Sequence, residues 1–175
     1  PPFETSEAFD MLGDVLGLIR EESELSTNEG CGLHINVGTW NDPDQVDWLK
    51  FLIIYNPRHA LEKFNRVNSH YAPDKLAIIM QNLHKGDITE FYNNIDHINR
   101  IVITESAKYS SVNFSKLDSD GYIEIRVGGG SGYEFQQSLI VNQMKRVIRA
   151  LDIASDPEAY KKQYITKLIK AFQIN

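Results

Sequence analysis

Residues 121–127 alternate without a break: Ile123, Ile125 and Val127 fall on one side of an extended chain, Tyr122, Glu124 and Arg126 on the other. Side chains alternate across a β-strand, so the segment reads as a strand with one apolar face and one face bearing a carboxylate and a guanidinium. Two other segments share the pattern. In 31–38, Leu33, Ile35 and Val37 oppose His34 and Asn36, and in 108–117, Val112 and Phe114 oppose Ser111, Asn113 and Ser115. Such strands need helices on one face only. The predicted class is therefore α+β, a small antiparallel sheet with one face covered by helices.

The rest of the chain supplies the helices. Phe9, Leu12, Val15, Leu16 and Ile19 recur at helical spacing over 6–24. Asn41-Asp42-Pro43-Asp44 is a turn expected to cap a helix over 44–56, which Pro57 interrupts before a second piece running to Val67. Helices are also expected over 73–84, 87–104 and 134–153. Ser155-Asp156-Pro157-Glu158 reads as a capping box opening a last helix over 157–173. Asp118-Ser119-Asp120-Gly121 is the expected hairpin between the strands at 108–117 and 121–127. A domain over 1–155 is thus followed by a C-terminal helix, 156–175. That helix is basic (Lys161, Lys162, Lys167, Lys170), and its apolar residues suit docking on the domain, on a protein partner or on a second copy.

A length of 175 residues fits one domain or most of one. The formal net charge of -6 argues against a sequence-independent nucleic-acid binder, which needs an excess of Lys and Arg, but leaves room for a local basic patch. The single cysteine, Cys31, cannot form an internal disulfide, which fits a reducing compartment. No apolar run reaches the roughly 18 residues of a membrane span, and no basic-then-apolar signal segment opens the sequence. The expected location is cytoplasmic, or within a larger assembly. The chain opens Pro1-Pro2 and enters a helical pattern almost at once, which reads as a piece of a longer protein.

A solvated sheet face usually carries Lys, Glu and Thr. This one offers an imidazole (His34), amides (Asn36, Asn113), a carboxylate (Glu124) and a guanidinium (Arg126), beside glycines that allow close approach to the backbone. That combination marks a candidate site. Gly128–Gly132 lacks the Lys-Ser/Thr of a P-loop and the spacing of a dinucleotide fingerprint, and reads as a turn at the site's rim. Cys31 reads as a small apolar residue. His59, His70, His84 and His97 lack ligand spacing, and Trp40 and Trp48 read as packing residues.

Cys31-Gly32-Leu33-His34-Ile35-Asn36-Val37-Gly38 resembles the "CGLHVHVG" strand of the amidoligases, carboxylate–amine ligases with a glutamine-synthetase-like fold. Tyr122-Ile123-Glu124-Ile125-Arg126, followed by a glycine-rich turn and a helix, resembles that family's "tiEfR…G" element. Lys108-Tyr109-Ser110-Ser111-Val112-Asn113 resembles its "RyrslN" strand. Arg66 and Asn68-Ser69-His70-Tyr71 fall where the family has an Arg and an Asn/Tyr-containing segment. The resemblance implies an ATP- and Mg²⁺-dependent ligase that forms an amide through an acyl phosphate, seen here as the C-terminal portion of a larger domain. His34 and Glu124 would hold the metal. Arg126 and Asn113 would be catalytic, and Asn36, Lys108 and Arg66 would bind substrate or nucleotide. Its partners would be small-molecule or peptide carboxylates and amines, not nucleic acid or membrane. Asn36 stands where the family has a second histidine and Lys108 where it has an arginine. No segment before residue 31 resembles the family's Glu-x-Glu strand. Either that strand lies upstream, or the domain is a non-catalytic structural or interaction protein of a larger assembly, such as a virion, that keeps the fold.

Overall fold

The computed structural model describes residues 4–22, 24–38, 42–83, 95–104 and 109–171. It is α+β, mostly helical around one three-stranded antiparallel sheet. The elements are α1 (Thr5–Glu21), β1 (Gly32–Gly38), α2 (Trp48–Tyr55), α3 (Pro57–Lys63), α4 (Lys75–Leu83), α5 (Ile95–Thr104), β2 (Val112–Asn113), β3 (Tyr122–Gly129), α6 (Gln137–Ser155) and α7 (Lys161–Ala171). Among these residues no helix is long and apolar enough to cross a membrane.

The sheet runs β1-β3-β2, so the last strand in sequence is the central one. Its apolar face enters the core through Ile35, Val112, Ile123, Ile125 and Val127, all buried. Helix α2 lies at the centre of the helical layer. A helix that is apolar all round belongs in an interior, and Trp48, Leu49, Phe51, Leu52, Ile53 and Tyr55 are all buried. Trp48 meets Phe51 and Phe114 edge-on, with centroids 6.0 Å and 5.2 Å apart. The buried Lys50 reaches out of this layer, donating from Nζ to the Asp156 carbonyl at 2.6 Å. On α1, Leu16 is buried, whereas Met11, Val15 and Leu18 are exposed. The helical stripe predicted there is accordingly narrower than expected, and Val15 lies outside it.

Several predicted boundaries are corrected. The strand expected over 108–117 shrinks to Val112–Asn113. The Asn113 side chain accepts from the Ser115 N–H at 3.0 Å, a turn that competes with the ladder and ends the strand. The link to β3 is a helical turn, Leu117–Asp120, closed by Gly121 at φ 70, instead of a tight hairpin. The helix predicted from 44 starts at Trp48, capped by the Asp47 carboxylate at the Lys50 N–H, after a 3₁₀ turn at Pro43–Gln45. Pro57 does interrupt it, with Asn56 in the left-handed region at φ 53 joining α2 to α3, and α3 ends at Lys63, short of Val67. The last helix begins at Lys161 instead of 157. The Asp156 carboxylate takes the Glu158 and Ala159 N–H groups in a turn that precedes it. Of the helix expected over 87–104, residues 95–104 are helical, and the remainder lies outside the described residues.

Candidate functional site

The cross-strand register sets the site. Glu124 pairs with Asn36 on β1 and with Asn113 on β2, so the three residues form one row across the sheet. All three fall on the face opposite the buried isoleucines. A register shift between Leu33 and Ile35 sets Arg126 and Val127 opposite His34. His34 is thereby within reach of Glu124.

The resulting contacts centre on one carboxylate. His34 Nδ1 lies 3.0 Å from Glu124 Oε1. The Asn113 amide donates to Glu124 Oε2 at 3.1 Å, and an Arg126 guanidinium nitrogen lies 3.7 Å from the same oxygen. Accessibility is graded: the side chains of Arg126, Glu124 and His34 are 14%, 19% and 42% exposed, so the cluster opens to solvent through the imidazole. A carboxylate beside Nδ1 makes that nitrogen the donor and leaves Nε2 as an acceptor or ligand. Gly32 lies beside the ring, where a β-carbon would stand in ordinary contact with His34 Nε2 at 3.4 Å. Asn36, one position along the row, is exposed.

Sequence reasoning groups His34, Asn36, Asn113, Glu124 and Arg126, and the structure brings these five to one face. Arg66 is placed differently. It is buried and donates to the Gly128 carbonyl at the far end of β3. Burial, reinforced by nearby Arg126 and opposed by Glu29, holds its pKa below the ordinary guanidinium value. That bond requires Gly129, at φ 120, because a β-carbon there would fall 2.6 Å from the Arg66 guanidinium and 2.5 Å from the Cys31 carbonyl. Lys108 lies outside the described residues.

Two features escaped sequence reasoning. The Tyr109 ring lies 5.7 Å from the Arg126 guanidinium carbon, a cation–π contact that steadies the fork. Alternation puts Tyr109 on the side of Ser111 and Asn113, so its parity was the signal that could have found the contact. The glycine turn after β3 is also tied down: the Thr27 hydroxyl accepts from the Gly132 N–H at 2.9 Å and donates to the Glu134 carboxylate.

Beside the row, a groove of about 810 Å³ runs between β1 and α1, lined by Met11, Leu12, Val15, His34, Asn36 and Tyr122 among others. Its size suits a small molecule or a short extended segment. Among the described residues no three His, Cys, Asp or Glu side chains converge as a metal cage. A Mg²⁺ ion, however, is commonly held by one or two carboxylates together with substrate phosphates and water. Glu124 fits that smaller role through Oε1, which meets one of its three partners while Oε2 meets two. The arrangement can accept a proton or metal at His34 Nε2 and hold an anion at Arg126. Comparison of the chain with protein-family models, with curated proteins and with solved structures finds no match in any of the three.

Proposed function

We propose that the polar sheet face belongs to a carboxylate–amine ligase of glutamine-synthetase-like fold, using ATP and Mg²⁺. The observation that carries this reading is the position of Glu124, at the middle of a three-strand row and in contact with an imidazole, an amide and a guanidinium at once. A structural ion pair would need only one of those partners. ATP with Mg²⁺, when bound, would supply the phosphoryl group that converts the substrate carboxylate to an acyl phosphate with release of ADP, and the amine would then displace phosphate to give the amide. Glu124 is the oxygen donor suited to the metal. His34 Nε2 serves as a second donor or takes the proton released by the amine. Arg126 presents two N–H groups to phosphate or carboxylate oxygens, the geometry a guanidinium fork matches. Asn113 is a positioning residue, since it holds the Glu124 carboxylate. Asn36 and Lys108 are assigned to substrate, and Arg66 to the support of β3's end near the nucleotide.

Titration calorimetry tests the reading. ATP should bind only with Mg²⁺, and Glu124→Ala should weaken that binding by at least about tenfold while circular dichroism shows an intact fold; a contact to a charged group is worth roughly 1.5–3 kcal/mol. Unchanged nucleotide affinity in that variant would remove Glu124 from the metal site. A second reading is favoured by the lack of a three-donor cage among the described residues: the face is a remnant in a non-catalytic protein of a larger assembly. Absence of any nucleotide binding would select it.

A further inference from the structure

Although the chain has a net charge of -6, one of its faces collects cations. Helices α3 and α6 border a shallow cleft of about 440 Å³ lined by His59, Lys63, Lys145, Arg146 and Arg149, with Gln143 also lining it and no carboxylate among the lining residues. Some exposed cations elsewhere are paired with acids: Arg58 with Glu62 at 3.3 Å, Lys116 with Asp120 at 3.1 Å and Lys161 with Glu158 at 2.9 Å. Among the described residues, no carboxylate stands at ion-pair distance from Lys63, Lys145, Arg146 or Arg149. Lys145 and Arg149 are also four apart on one helix, a like-charge spacing that destabilises a helix with nothing between the charges.

These side chains are nevertheless held. Arg146 donates to the Tyr55 carbonyl at 2.8 Å and lies over the Tyr55 ring. Arg149 donates to the Tyr160 hydroxyl at 2.5 Å and covers that ring. Lys145 Nζ sits 5.4 Å from the centre of the Phe9 ring. Rings and a carbonyl fix the cations without neutralising them, which is the preorganisation an anion site needs.

We propose that this cleft binds a small phosphate-bearing polyanion, with the cations taking the phosphate oxygens. The volume lies in the range of small-molecule sites, which favours a compact ligand over a nucleic-acid backbone. The cleft shares no residue with the polar sheet face, so the proposal stands apart from the ligase reading.

The test is calorimetry on the full chain in EDTA at low salt, with inorganic tripolyphosphate as probe. Tripolyphosphate should bind, and the double variant Lys145→Gln/Arg149→Gln should weaken it by at least about 30-fold with the melting temperature retained, since both side chains are exposed. Glu124→Ala should leave this binding unchanged, which separates it from nucleotide binding at the sheet. Should the double variant fail to fold, Lys63→Gln on α3 gives the same test from the other wall, with a loss of several-fold expected. Absence of tripolyphosphate binding at millimolar concentration, or equal binding by the variants, would overturn the site. Tighter binding of a 20-nucleotide single-stranded DNA than of tripolyphosphate would overturn the small-ligand assignment.

Discussion

Arg126 shows how much one side chain depends on neighbours that are distant in sequence. Its place on the polar face follows from alternation alone, two residues after Glu124. Its environment follows only in part: parity puts Tyr109 on the same side as Asn113, but the chain at Tyr109 is a bend and not strand, and the ring contact depends on that local path. The side chain is only 14% exposed, so replacing it costs more than a surface charge swap. Arg126→Lys is expected to lower stability by about 1 kcal/mol through loss of the ring contact, measured as a urea midpoint. If Arg126 holds the transferred phosphoryl group, the same variant should slow ATP-dependent amide formation by about 100-fold, the scale of losing one preorganised charge-stabilising donor. Full activity with lowered stability would reduce Arg126 to a strut for Glu124. Other residues divide the same way. His34, Asn36 and Glu124 were legible because period-two alternation reports face directly. Arg66 was legible only as a basic residue, because its bond to the Gly128 carbonyl depends on how the chain returns after α3.

At the scale of elements, the legible parts were those with long, strongly patterned sequence. β1 and β3 stand where alternation places them, and Pro57 breaks its helix as backbone chemistry requires. The failures come from short polar side chains that bond the backbone. Asn113 cut β2 short in this way, and Asp47 and Asp156 delayed the helices that follow them. Asp74 opens α4 in the same manner, accepting from the N–H groups of Leu76 and Ala77 at 3.0 Å and 3.3 Å. Burial nonetheless pushes its carboxyl above the usual 3.8, against those hydrogen bonds and Arg58, with Glu62 adding to the rise. A raised folded pKa means the folded state holds the proton more tightly. The contribution is complete below the unfolded value and is lost as pH climbs through the folded one. At neutral pH the charged form therefore carries a desolvation cost that asparagine, an equally good cap, avoids. Asp74→Asn should raise the urea midpoint at pH 7, and the gain should close on acidification to about pH 3. A gain that is constant across that range, or a loss at pH 7, would show that the cap's charge outweighs its burial.

Across the whole molecule, the question is whether the last helix is part of the fold or an arm for something else. Its basic residues and apolar stripe suit either role when read as sequence. In the structure Leu168 is 5% exposed and belongs to the same buried cluster as Trp48, Ile125 and Leu16. Tyr164 adds a second tie, with its ring centre 6.0 Å from the Lys50 ammonium. One continuous core predicts one cooperative transition for a domain of this size. Leu168→Ala removes a buried isobutyl group, and truncations of that kind cost about 2–4 kcal/mol. Trp48 is fully buried at the centre of that core; in a Trp40→Phe background, which removes the other tryptophan, fluorescence reports on the core and far-ultraviolet circular dichroism reports on all the helices. Both midpoints should fall together in the variant, by the same amount. If α7 were a detachable arm, the variant would lose some helical signal at low denaturant while the Trp48 transition stayed where it is in the parent chain. Coincident shifts would instead make α7 a structural element docked through Leu168 and Tyr164, leaving for any partner an outer surface that is basic but also carries the exposed Ile165 and Ile169.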